Sequence, residues 1–305
     1  MNEASDVELK ERRLNVGEVE LFTVEAGEGP LVVLLHGFPE FWGSWRHQLS
    51  ALARAGFRAV APDLRGYHRS DKPRGVSAYS LDKLTGDVAG LIRALGEERA
   101  AAVVGHDWGG AIAWRFAMDY PKLFEQLVIM NVPHPVMMEK GLRTLRQLVK
   151  SWYMFFFQLP AVPEAVFRAG NFRMTRESWK REGLTNEDIQ RLVEALSVPD
   201  GVTGPMNYYR SAMRDAARGR TAPPLCIEHP VLVIWGELDA YLGKELAVPP
   251  ADLVPHARVE FLPDASHWVQ NHRPERVNEL LIGFLRQTRT SQGHVATAAA
   301  EGGTR

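Results

Sequence analysis

The chain has 305 residues, 45% of them hydrophobic and 24% charged, with a formal net charge of -1. That length can bury a substantial core, and the mixture is that of an ordinary globular protein. Interspersed charges of both signs give no polyanion footprint, so nucleic acid is not an expected partner, and the single Cys226 excludes an internal disulfide or a cysteine metal cluster.

In chain order, "MNEASDVELKERR" opens the sequence without an apolar stretch of the secretory kind. No apolar run approaches the roughly 20 residues that cross a bilayer. The expectation is a cytoplasmic protein with no membrane contact. The segments "LVVLLHG" (31–37), "FRAVAPD" (57–63), 100–104, "QLVIMNV" (126–132) and "PVLVIWG" (230–236) read as buried strands. Near-continuous apolar strands suit a parallel sheet covered on both faces. Between them, Leu81, Leu84, Val88, Leu91, Ile92 and Leu95 fall on one helical stripe. Val277, Leu280, Leu281, Phe284 and Leu285 form another, with Pro274 near its start. Alternating strands and helices predict an α/β sheet wound on both sides.

The alternation stops at "NVPHP" (131–135) and resumes near "TAPPLCIEHP" (221–230). The stretch between reads as helical. Leu142, Leu145, Leu148 and Val149 suggest one apolar face, and Thr185 with Asp188 suggests a capped start before Ile189, Leu192, Val193 and Leu196. The expected organisation is therefore a core at 1–132 and 224–289 with a helical cap inserted at 133–223. Residues 290–305 are small and polar and read as a disordered tail.

The chemistry gathers where predicted strands end. "GHDWGG" (105–110) has the Gly-x-nucleophile-x-Gly frame of a sharp strand-to-helix turn, with Asp107 where hydrolases commonly carry serine. "WGELDA" (235–240) supplies Asp239 and "DASHWVQ" (264–270) supplies His267, giving the chain order nucleophile, acid, histidine. A carboxylate with a pKa of about 4 is ionised at neutral pH and needs no base. It suits displacement at a saturated carbon, because the resulting ester can then be hydrolysed at its carbonyl. His267 is the candidate base for that water, with Asp239 orienting it and Glu237 a weaker rival. A required neutral imidazole predicts loss of activity below roughly pH 6.5. His106 adjoins Asp107, but neighbouring side chains at a strand end diverge, so it receives no catalytic role.

These motifs, together with "HGFPEFWGSWRHQ", "APDLRGYHRSDKP", "NVPHP" and "SHWVQ", resemble the epoxide hydrolase group of α/β-hydrolases over almost the whole chain. The resemblance implies an α/β-hydrolase fold with an inserted helical cap and no cofactor. It also implies an oxyanion hole from the backbone N–H groups of Phe38 and Trp108, and a cis bond before Pro39. Tyr153 and Tyr209 of the cap lie in settings similar to those of the group's proton donors, with Tyr208 an adjacent alternative to Tyr209. The implied reaction joins a small hydrophobic epoxide and water to form a vicinal diol through an ester on Asp107. A haloalkane dehalogenase is the second reading. That resemblance would require an amide in the "HGxP" loop, where this chain has Phe38. A non-catalytic ligand-binding protein on the same fold is the third. Oligomeric state stays open, a homodimer included.

Overall fold

The apolar runs become the middle of a single sheet. In a computed structural model the described residues are 7–221 and 223–301, with side chains described as far as 287. The strands are β1 (Leu9–Asn15), β2 (Glu20–Ala26), β3 (Leu31–Leu35), β4 (Arg58–Pro62), β5 (Ala100–His106), β6 (Phe124–Met130), β7 (Val231–Gly236) and β8 (Ala257–Leu262). They lie in the order β1-β2-β4-β3-β5-β6-β7-β8. From β4 to β8 every pairing is parallel, while β1 with β2 and β2 with β4 are antiparallel. From β3 the chain steps one way to β4 and later the other way to β5. That reversal opens a crevice at the carboxyl ends of β3 and β5.

Each strand sends alternate side chains to opposite faces. Leu31, Val33 and Leu35 pack in one layer with Val231, Val233 and Trp235, against α2 (Leu81–Ala94) and α3 (Trp108–Asp119). Val32, Leu34, Leu232 and Ile234 pack in the other, against α1 (Arg46–Arg54) and a C-terminal helix that buries Val277, Leu281 and Leu285. Each such side chain buried in full contributes about 1.5–3 kcal/mol.

The N-terminal hairpin of β1 and β2 has no counterpart in the sequence reading. β1 buries only Leu14. Its charged Lys10, Glu11, Arg12 and Arg13 guard an open sheet edge against further pairing.

Between β6 and β7 the chain is helical: α4 (Pro135–Leu142), α5 (Leu145–Lys150), α6 (Trp152–Phe156), α7 (Val162–Arg181), α8 (Asn186–Leu196) and α9 (Thr203–Ala217). α7 is interrupted at Ala169, Gly170, Asn171 and Phe172, the last three at positive φ. α8 starts as expected: Thr185 Oγ1 accepts from the Asp188 N–H at 3.1 Å, and Ile189, Leu192, Val193 and Leu196 are buried. The proposed face of Leu142, Leu145, Leu148 and Val149 does not form. The helix breaks after Leu142, Thr144 caps a new one, and Leu145 and Val149 are exposed. A third cluster ties the insertion to the connections beyond the sheet, with Phe157, Trp179, Leu192 and Tyr209 meeting Phe41 and Trp268. The ion pair of Arg46 with Asp188, at 2.8 Å, bridges the same boundary.

The chain closes with α10 (Val269–His272) and α11 (Pro274–Glu301). Helix thus enters the stretch read as a disordered tail. The alanine-rich 296–300 run has the highest intrinsic helix propensity, and no proline stops it. Residues 302–305 lie outside the described residues.

Candidate active site

Five connections leave the carboxyl ends of parallel strands and converge. The turn after β5 carries Asp107 at φ 48° and ψ -120°, a conformation that L-residues rarely adopt. The flanking glycines allow it by close approach: a Cβ at Gly109 would come within 2.1 Å of the Leu35 carbonyl oxygen, and one at Gly37 within 2.4 Å of Asp107 Cβ. The loop after β3 holds Phe38, whose backbone N–H donates to Asp107 Oδ1 at 2.7 Å. The Phe38–Pro39 bond is cis, as the resemblance implied. Trp108 opens α3, so its N–H is among the first-turn donors that have no partner inside the helix.

His267 follows β8. Its Nδ1 donates to Asp239 Oδ2 at 2.8 Å, which leaves Nε2 facing Asp107 Oδ2 at 3.6 Å. That second separation is too long for a strong hydrogen bond. Asp239, after β7, is fully buried and saturated: Oδ1 accepts from the Tyr241 and Leu242 N–H groups, and Oδ2 also accepts from Asn131 Nδ2. Burial alone would raise its pKa, but His267 and these donors hold it below the ordinary carboxylate value. Burial pulls His267 down, yet Asp239 and then Asp107 outweigh it and raise the imidazole well above its usual range. Glu237, the rival acid, is paired with Lys244 instead.

Beneath this set lies a second buried pair. His106 Nε2 donates to the His267 carbonyl at 2.9 Å, and His106 Nδ1 meets Glu40 Oε2 at 2.7 Å. Glu40 also accepts from the Gly37 N–H and from Gln270 Nε2. Burial pushes Glu40 upward, but the contact with His106 dominates and holds it at about 2. Both His106 nitrogens therefore face acceptors. His106 spends both ring nitrogens on Glu40 and the His267 carbonyl, and so holds the backbone of a histidine that follows β8, three strands away.

The helical insertion supplies the opposite wall. Tyr153 from α6 and Tyr209 from α9 stand edge to face, 5.8 Å apart between ring centroids. Burial, followed by the charge of Asp107, raises both phenols well above 10 and keeps them protonated. Trp108 packs edge-on against the Tyr209 ring, 5.0 Å between centroids. Tyr208 points elsewhere: its hydroxyl donates to the Arg65 carbonyl at 2.7 Å among core residues. At the end of α6, Phe157 enters this wall, while Phe155 faces solvent.

Several contacts here escaped the sequence reading. Asn131 and Glu40 sit inside motifs that were noticed but given no role. Lys150 donates from the insertion to the Asp239 carbonyl at 2.7 Å, and Tyr241 packs 5.3 Å from the His267 ring. No local pattern marks either residue.

Comparison with known proteins agrees with this geometry. The family described as alpha/beta hydrolase fold matches residues 30–274. The chain is 38% identical to the AB hydrolase superfamily protein YfhM of Bacillus subtilis (strain 168), over 90% of this chain and 96% of that one. It is 39% identical to epoxide hydrolase 1 of Caenorhabditis elegans, over 90% of this chain and 70% of that one. The crystal structure of a Bacillus megaterium epoxide hydrolase in complex with an inhibitor superposes with a TM-score of 0.82 at 33% identity, covering 90% of this chain and all of the other. A variant of that bacterial enzyme has been crystallised with its naphthyloxy-propane-1,2-diol product. Fold and site together define an α/β-hydrolase with a carboxylate at the nucleophile position. The chain belongs to the epoxide hydrolase family of that fold.

Proposed function

We propose that this protein hydrolyses an epoxide to a vicinal diol through an ester on Asp107. The observation that carries the reading is the pair of protonated tyrosines across from an ionisable acid, with Asp107 the charge each feels most strongly. Asp107 Oδ2, the oxygen free of the Phe38 amide, attacks a ring carbon. The new carbon–oxygen bond forms as the ring bond breaks, and Tyr153 and Tyr209 hydrogen-bond the departing oxygen and supply its proton. His267, oriented by Asp239, then takes a proton from water. The hydroxide adds to the ester carbonyl while the Phe38 and Trp108 N–H groups bear the developing negative charge. Collapse frees the diol and restores the Asp107 carboxylate. The two water protons end on the two diol oxygens, by way of His267 and the tyrosines.

The haloalkane reading fares worse on the same geometry. Phe38 offers no side-chain donor for a halide, and the Trp108 ring packs edge-on against Tyr209. A silent ligand-binding protein would not need the 2.8 Å link of His267 to Asp239. We also assign the protein to the cytoplasm, where the exposed free thiol of Cys226 stays reduced. Among the described residues no helix is long and apolar enough to cross a membrane. A panel of aryl and alkyl epoxides and haloalkanes, scored for diol and for halide, tests the assignment. Diol from epoxides without halide release supports it. Halide release alone, or neither product, overturns it.

A further inference from the structure

The residue after Tyr209 is Arg210, a buried guanidinium on an otherwise aromatic wall. All five of its N–H groups are used. Nε donates to the Phe157 carbonyl at 2.8 Å, and Nη2 donates to the Leu159 carbonyl at 2.9 Å and to Glu164 Oε2 at 3.0 Å. Nη1 donates to Glu164 Oε1 at 2.6 Å and to Asn207 Oδ1 at 3.3 Å. The two carbonyls lie where α6 ends, and such carbonyls lack partners within the helix. Glu164 stands in the first turn of α7. One side chain thus fastens the end of the Tyr153 helix to the helix that carries Tyr209.

The fastening acts through Phe157. Its N–H donates to the Tyr153 carbonyl at 2.9 Å. Its ring is wedged 5.7 Å from Tyr153, 5.1 Å from Tyr209 and 5.4 Å from Phe38. We infer that the Arg210–Glu164 pair is a positioning device that sets the spacing of the two phenols over Asp107. The inference rests on the reading under Proposed function, because the phenols matter only where an oxygen leaves from carbon. Arg210 touches neither substrate nor reacting atoms. Its effect falls on ester formation, where the tyrosines act, and spares ester hydrolysis, which belongs to His267 and Asp239. Lysine cannot replace it: a single ammonium has three donors and no planar fork.

Single-turnover rapid quench with styrene oxide, followed by intact-protein mass and diol yield, separates the two steps. Arg210→Lys should form the ester about tenfold more slowly, as small misplacements of reacting groups do. Its ester should decay within about twofold of the wild-type rate, since His267 is untouched. Glu164→Gln keeps the shape and loses the charge, so it should give the same pattern more weakly. It carries the comparison if Arg210→Lys does not fold. Equal slowing of both steps, or of neither, overturns the inference. An absence of ester in the wild type overturns the reaction assignment and the positioning role with it. Ester in the wild type with unchanged formation in the variants overturns the positioning role alone.

Discussion

At the scale of single residues, His267 stands between two carboxylates with different fates. Asp239 keeps its charge through the cycle, while Asp107 loses its charge on becoming an ester. Burial depresses the imidazole, and Asp239 and Asp107 more than restore it. Esterification removes the Asp107 contribution, so the ring releases its proton more readily once water needs a base. The sequence reading placed the acid limb below pH 6.5. In the free protein the carboxylates move the titration above that value. Asp107→Asn imitates the uncharged ester. An NMR titration should find the His267 pKa lower in that variant than in the wild type, and an equal or higher value would refute the coupling. The meeting of Asp107, Asp239 and His267 was legible because turn chemistry and chain order mark them. The choice of Tyr209 over Tyr208 was not: adjacent helical residues point in different directions, and only packing says which one faces the site.

Between elements, the Glu40–His106 pair staples the loop after β3, the end of β5 and the loop carrying His267. A buried charge that loses its partner is costly, on the order of 3–5 kcal/mol. Glu40→Ala should therefore lower unfolding free energy by about that amount at neutral pH. The sign of the pH dependence follows from the depressed carboxyl. Its contribution is present above the unfolded value of 4.5 and is lost as pH falls towards about 2. Denaturant titrations should find the gap between wild type and variant narrowing over that window, and a gap that widens in acid would contradict the assignment. Nothing in the sequence joins Glu40 to a histidine 66 positions later. The contact exists because β3 and β5 are neighbours in the sheet, which is a property of topology and not of local pattern.

For the molecule as a whole, the central strands β3 and β7 were readable because burial on both faces leaves them apolar throughout. The edge strand β1 was not, since it buries one residue in seven and carries no such mark. The 142–149 region misled for a related reason: apolar spacing suited one continuous helix, and Thr144 capped a second one instead. The whole arrangement of sheet, turn and helical insertion serves one event, the bond from a protein carboxylate to substrate carbon. A single turnover in oxygen-18 water tests that event most directly, with protein in excess over epoxide. The heavy oxygen should appear in the Asp107 carboxylate while the first diol released carries none. A first-turnover diol that already holds the label, with Asp107 unlabelled, would mean that water attacks the epoxide directly.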